Sequence, residues 1–460
     1  MSRDLLYWSG VDGATGAYLR PPRRPSVLAA RARREPRYGF ARAPSDAAPR
    51  PVKGLPEGVD PNDLSGAGWG VVFAKGADPA TAEALHELLD WRRQRSGEHY
   101  RELGGANGYR SGESTLDFIE RLGVGPGPAQ PAKLPYYLLL VGSPEEIPFE
   151  LQVQLDVQYA VGRLDFDRPD DYAAYARRVV EYEKACPTAD RPRAAIFAPR
   201  IPGDGTTDAL VEELAAPLAK ALEQRQPEWL FERCLGELAT REALGAWLGG
   251  DRSPALVFAA CHGVGYSCGA ERQRSLQGAL VCSGWPGPGR SVGPEAIFTA
   301  DDLGGEGRGA PPLVFLFACH SLGTPRDNAF ELDEDGRPLP FAPQSFSSRL
   351  AQRLLTRGSL AVVGHLERAW TWSFRWREAG RQLAVFENAV LRLLNGLPVG
   401  WAMEYFNQRY GELSTLLDDE LRHARAGNDR QIAQLWTARN DARNYAVLGD
   451  PAVHLRGDGA

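Results

Sequence analysis

Short, near-continuous apolar runs alternate along this chain with stretches whose apolar positions return every three or four residues. The runs WGVVFAKG (69–76), YYLLLVGS (136–143), RAAIFAPR (193–200), WLFERCLG (229–236), ALVFAA (255–260), LVFLFA (313–318) and SLAVVG (359–364) predict strands. They lack the polar alternation of a strand with one wet face, so they predict parallel strands covered on both sides. Between them, PATAEALHELLDWRRQR (79–95), DDYAAYARRVVEYEKA (170–185), TDALVEELAAPLAKALEQ (207–224) and SFSSRLAQRLLTRG (345–358) predict amphipathic helices. The alternation predicts an α/β fold: a mostly parallel sheet flanked by helices. ACPTADRPR (185–193) reads as the join between two side-by-side α/β subdomains, 61–190 and 191–460. No repeat of fixed period is present.

Composition bounds this picture without redirecting it. The chain has 460 residues, 43% hydrophobic and 24% charged, ordinary for a globular protein with a large core. No apolar run approaches the roughly 18–20 residues of a membrane span. The opening MSRDLLYWSGVDGATG shows no secretory h-region. Six cysteines (Cys186, Cys234, Cys261, Cys268, Cys282, Cys319) are too few for a disulfide scaffold. The expectation is a cytoplasmic protein with no membrane partner. Residues 1–53 hold eleven Lys/Arg against four Asp/Glu, net +7, in a chain of net −6. This Arg/Pro-rich segment (1–60) could bind phosphates as a basic arm. Because no aromatic-interleaved basic face accompanies it, an extended segment on the acidic body or a pro-segment is the preferred expectation, and nucleic acid is disfavoured as a partner.

Two of the apolar runs end alike. ALVFAA runs into Cys261-His262-Gly263, and LVFLFA into Cys319-His320-Ser321. Functional groups collect just past the carboxyl ends of parallel strands, and neighbouring strands would bring these two ends together. A thiol beside an imidazole is the minimal apparatus of nucleophilic catalysis: the histidine takes the thiol proton and later protonates the leaving amine. Glycine after a histidine lets a substrate carbonyl approach backbone N–H groups. Three other readings stand beside this one. Any of these cysteines can be inert core packing. The cluster could ligate zinc, although the spacings 261-x6-268 and 268-x13-282 match no short zinc knuckle. The pair could also be crossed, with Cys261 as nucleophile and His320 as base.

LVFAACHG followed by LVFLFACHSLGT resembles the His-Gly and Ala-Cys strand ends of the caspase-like cysteine peptidases, which include caspases, gingipains, separase and the CHAT domains. PYYLLLVGSPEEIP (with Ser143 where that pattern has Asp), LDVQYAVGRLDFD, VVEYEKA, GSLAVVGHLERAW and NYAVLGDPAVHLR resemble the gingipain-like branch in the same order, over about residues 65–456. The resemblance implies a cysteine endopeptidase with His262 as general base and Cys319 as nucleophile. Gly263 and Cys319 would supply the oxyanion N–H groups, and Cys261 and His320 would have no role. It implies no cofactor, with calcium admitted as a structural ion, and a protein substrate. It places Trp370 as a wall of the substrate cleft, and Asp208, with Asp204 second, in a pocket favouring cleavage after Arg or Lys. Against that, Asp208 can simply N-cap a helix starting at residue 209. The family's acidic partner of the histidine would fall near Arg200; Glu271 or Asp301 could substitute, or a dyad could work alone.

Two segments resemble regulatory loops. SLGTPRDNAFELDEDGRPLPFAPQSF follows the nucleophile strand, where caspases carry a linker cut on activation; Arg326 and Arg337 are the candidate processing sites, for self-cleavage or an upstream activating protease. The plain alternative is a long exposed loop with little to pack. The Gly/Pro-rich segment 269–305 is expected to rim the cleft. His365 reads as a core or rim histidine, and Asp450 as a turn-former. Relatives of this kind act in bacterial proteolytic cascades, antiphage defence among them. The competing class is a catalytically silent scaffold or zinc-dependent regulator, supported by the missing acid at Arg200.

Overall fold

Ten short strands account for most of the buried apolar runs. In the computed structural model, residues 10–19, 21–35, 54–185, 191–250, 253–304, 309–332, 337–376, 379–423 and 427–455 are described. The strands are β1 (Trp69–Phe73), β2 (Tyr100–Leu103), β3 (Tyr137–Val141), β4 (Ala160–Leu164), β5 (Arg193–Pro199), β6 (Leu230–Gly236), β7 (Leu256–Ala260), β8 (Leu313–Phe317), β9 (Ala361–His365) and β10 (Tyr445–Gly449). They form one sheet in the order β2-β1-β3-β4-β10-β9-β8-β7-β5-β6. Every neighbouring pair is parallel except β9 with β10. The strands β1–β4 therefore run opposite to β5–β9. The carboxyl ends of β5, β7, β8 and β9 share one edge, which is where the site lies.

The seven predicted strands are all present, and helices cover both faces. In β3, β7, β8 and β9 every residue is buried, which is why they read as unbroken apolar runs. Three further strands are not among the predicted runs. β2 (YREL) is an edge strand with only Leu103 buried. β4 contains Arg163, fully buried, which donates to Gln152 Oε1 at 2.9 Å and to the carbonyls of Gly142 at 2.9 Å and Ile147 at 2.7 Å. Burial lowers its pKa to about 10. β10, near the chain end, runs into Asp450. That residue is more than a turn-former. It caps Ala452 N–H at 2.9 Å, and accepts from Trp69 Nε1 at 3.0 Å and Arg92 Nε at 2.7 Å. Arg92 also forks onto Glu183. A buried charge set like this is tolerable only fully paired, and here it ties the last strand to the first half of the sheet.

The helical expectations hold with two refinements, the first being that 79–95 is two helices, Pro79–Ala84 and His86–Ser96, that meet at Leu85. The main helices are α1 (Pro25–Arg34), α2 (His86–Ser96), α3 (Pro169–Lys184), α4 (Ala216–Arg225), α5 (Arg349–Thr356) and α6 (Asp429–Arg443). The stretch 207–224 is not one regular helix. A short turn Gly205–Ala209 widens into a π segment, Leu210–Ala215, before α4. Pro217 has no N–H for the ladder, and the widened turn absorbs the mismatch. The described residues of the basic N-terminal segment lie on the body. Val11–Asp12 forms a two-residue parallel pair with Val264–Gly265, and α1 packs with α6 through Leu28, Ala29 and Ala32. The segment 333–336 lies outside the described residues, but its flanks are less loop-like than expected. Asp327–Leu332 pairs with Pro338–Pro340 as a hairpin, and Phe330 is buried against Trp370 and Trp436.

Candidate active site

β7 and β8 are in register, Phe258 opposite Phe315 and Ala260 opposite Phe317. Continuing that register two residues past each strand puts His262 opposite Cys319. The backbones touch there: a Cβ on Gly263 would lie 1.8 Å from the Cys319 carbonyl oxygen and 2.8 Å from its nitrogen. Glycine at 263 is therefore a steric necessity, because any side chain would push the two strand ends apart. Immediately after Cys319 the chain turns through His320 at φ 56°, the one non-glycine with positive φ among the described residues. Such strain persists only where surrounding structure enforces it.

His262 is held from three sides and is almost wholly buried. Its Nε2 lies 2.5 Å from Asp204 Oδ2. Its Nδ1 accepts the Gly10 N–H at 3.1 Å. An acceptor nitrogen carries no proton, so the ring proton sits on Nε2 and is donated to Asp204. The lone pair on Nδ1 then faces the space next to Cys319. Tyr18 and Trp285 stand edge-on to the ring, at 6.2 and 6.3 Å between centroids. Asp204 is fully buried, and burial alone would raise its pKa. The His262 ring beside it, hydrogen bonds from His262 and Tyr18 Oη (2.7 Å), and the Thr206 N–H (3.0 Å) outweigh that and lower it to about 2.

Cys319 is fully buried, and burial pushes its thiol up to about 12. The Ala369 N–H points at Sγ from 3.2 Å, the opposing influence that favours thiolate. Its neighbours in sequence differ. Cys261 is buried in the main core, with its thiol pushed well above its ordinary range by burial. His320 packs against Phe341, 5.2 Å between centroids, with Nδ1 3.3 Å from Thr324 Oγ1. Burial, then Arg368, lowers its pKa to about 3, so it stays neutral. Both thiols are buried, so the histidines separate the two pairings: His262 is backed by Asp204, whereas His320 faces Phe341 and Thr324. Among the described residues no three His, Cys, Asp or Glu side chains are grouped to hold a metal ion.

Several expected placements are corrected. Asp204 is not in a specificity pocket: it supports His262, the place expected for an acid near Arg200. Arg200 itself points outward and pairs with Glu212 at 2.7 Å and Asp208 at 3.3 Å. Asp208 is therefore a half-exposed surface carboxylate, and the helix cap is Asp204 rather than Asp208. Glu271 and Asp301 are exposed and do not reach His262. Asp204 thus fills the place of the acid that Arg200 had left missing beside His262. Trp370 is not an open cleft wall: it is fully buried in an apolar cluster with Phe330, Trp436 and the α1 residues Leu28, Ala29 and Ala32. His365 is buried between Phe317 and Tyr445, 3.6 Å from Asp441. Arg326 and Arg337 are both exposed, Arg326 forked onto Asp327. The segment 269–305 contributes Trp285 beside His262. What the sequence hid was Gly10 and Tyr18. Nothing in a chain-order pattern signals that the N-terminus returns to a strand end some 250 residues away.

No family model and no curated protein matches the chain. Among solved structures, the Arg-specific cysteine proteinase gingipain R is similar at a TM-score of 0.51 and 15% identity, covering 85% of this chain and 78% of that one. A complex of Porphyromonas gingivalis RgpB pro- and mature domains matches at 0.49 and 14%, over 85% and 80%. A Saccharomyces cerevisiae separase–securin complex matches at 0.35 and 14%, over 73% of this chain and 17% of that one. The likeness to gingipain R is one of fold. The chain has a caspase-like α/β fold, with a large, mostly parallel sheet flanked by helices.

Proposed function

We propose that this caspase-like fold houses a cysteine endopeptidase whose working pair is His262 and Cys319. The observation that carries the reading is their juxtaposition at matched positions past β7 and β8, with Asp204 behind the imidazole. Nδ1 of His262 takes the thiol proton as Sγ attacks the scissile carbonyl carbon. The N–H groups of Gly263 and Cys319 hold the oxyanion. The C–N bond then breaks as His262 returns the proton to the leaving amine, and water, deprotonated by the same ring, releases the acid and the free thiol. Asp204 is a positioning residue, fixing the tautomer. No step requires a metal.

The substrate class is protein or peptide. Asp204 is taken up by His262 and Asp208 by Arg200 on the surface, so neither carboxylate sets a preference at the cut. Latency is part of it, since the thiol is buried and held protonated. Arg326 and Arg337 stay as candidate cut sites for an activating protease, being exposed on the hairpin. A reduced compartment suits five free cysteines among the described residues, and no helix there is long and apolar enough to cross a membrane. Peptide-library profiling tests the reading, on the wild-type chain and on the opened variants given below. Cleavage lost in Cys319→Ala and His262→Ala but kept in Cys261→Ala is expected; hydrolysis surviving Cys319→Ala overturns it.

A further inference from the structure

The space between His262 and Cys319 is taken by the chain itself. Gly10 donates its backbone N–H to His262 Nδ1, and a Cβ on Gly10 would lie 3.1 Å from Cys319 Sγ and 2.8 Å from Leu19 Cδ1. Gly10 has φ +98°, a conformation that only glycine adopts cheaply. Residues Val11–Asp12 then add as a parallel strand to Val264–Gly265, just past His262, and Gly13 N–H continues the pairing to Gly265 O at 2.9 Å. Val11 is completely buried among Ile201, Val264, Val281 and Trp285. The Asp12 carboxylate closes the following turn by accepting Thr15 N–H at 2.7 Å. Tyr18 comes back to donate to Asp204 Oδ1.

We propose that residues 10–19 are a built-in pseudosubstrate, which occupies the track an extended polypeptide must take through the catalytic pair and must be withdrawn before turnover. The inference rests on the peptidase reading above. An extended substrate would present a backbone amide nitrogen to His262 Nδ1 and add its main chain to the edge at Val264–Gly265, and this segment makes both contacts. The blockade is anchored further along. Helix α1 covers the Trp370 cluster, and Glu35 at its end accepts from Trp436 Nε1 at 2.8 Å and Arg439 Nη2 at 2.5 Å. Withdrawing residues 10–19 would clear the space beside the closed thiol.

The test is thiol alkylation mapped by peptide mass spectrometry, with exposed Cys268 as internal standard. Iodoacetamide should modify Cys319 of the wild-type chain at least tenfold more slowly than Cys268. In Gly10→Val, whose side chain cannot fit beside Sγ, Cys319 should react at least tenfold faster and Cys268 unchanged. Val11→Asp, which places a charge in the apolar seat of the segment, is the second variant should the first misfold. Cys319 as reactive as Cys268 in wild type, or equally slow in both folded variants, overturns the proposal. The same variants are assayed on the peptide library. Fast alkylation with no hydrolysis upholds the blocking segment and overturns the peptidase reading, so the two failures are distinguishable.

Discussion

Asp204 holds two positions at once. One carboxylate oxygen caps the turn at Gly205 through Thr206 N–H and takes the Tyr18 hydroxyl; the other holds the Nε2–H of His262. The two Cys-His pairs were legible because each closes an apolar run, and strand ends are where such groups work; taking His262 and Cys319 over Cys261 and His320 rested on the family resemblance. Asp204 was not legible, because it sits four residues past the register position of Arg200, on a loop whose return path no periodicity encodes. Its lowered pKa gives a signed prediction. A carboxyl with folded pKa about 2 against an ordinary value of 3.8 stabilises the fold above pH 3.8, and the gain is lost as pH falls through about 2. The stability of wild type over Asp204→Asn, from urea unfolding at a series of pH values, should therefore shrink by about 2 kcal/mol between about pH 6 and pH 2. A difference independent of pH would mean that the carboxylate is not held ionised by the imidazole.

Among elements, the β7 and β8 ends are the joint that sets the geometry. Their existence follows from the sequence; their contact at Gly263 does not, because it depends on register. Gly263→Ala should cost about 2 kcal/mol, since the new Cβ would overlap the Cys319 carbonyl rather than a yielding side chain. Gly411→Ala, in the helix Glu404–Arg422 with nothing within 4 Å of the added carbon, should instead stabilise by up to about 1 kcal/mol. Thermal melting of the two variants checks the opposite signs. Equal, small changes would show that the strand ends are not in backbone contact. The same dependence on partners hid β2 and β4: an edge strand and a strand with a buried arginine carry no apolar run. Pro217 similarly turned an apparently continuous helix into a π segment followed by α4.

At the scale of the molecule, the α/β class and helix-covered sheet were readable from strand–helix alternation, whereas the opposed directions of the two halves were not. That reversal is set by β10, which comes from the chain end and inserts between β4 and β9. The N-terminal segment was read as lying on the acidic body; its route through the site was invisible, because it depends on one glycine fitting between a histidine and a thiol. On the proposed reading this thiol, activated by this histidine, is the nucleophile. Mass-spectrometric mapping of the adduct formed by a mixed peptidyl chloromethyl ketone pool on the Gly10→Val chain tests it most directly. A single adduct on Cys319, kept in Cys261→Ala and lost in His262→Ala, is expected. An adduct on Cys261, or one on Cys319 that forms equally well without His262, would contradict it.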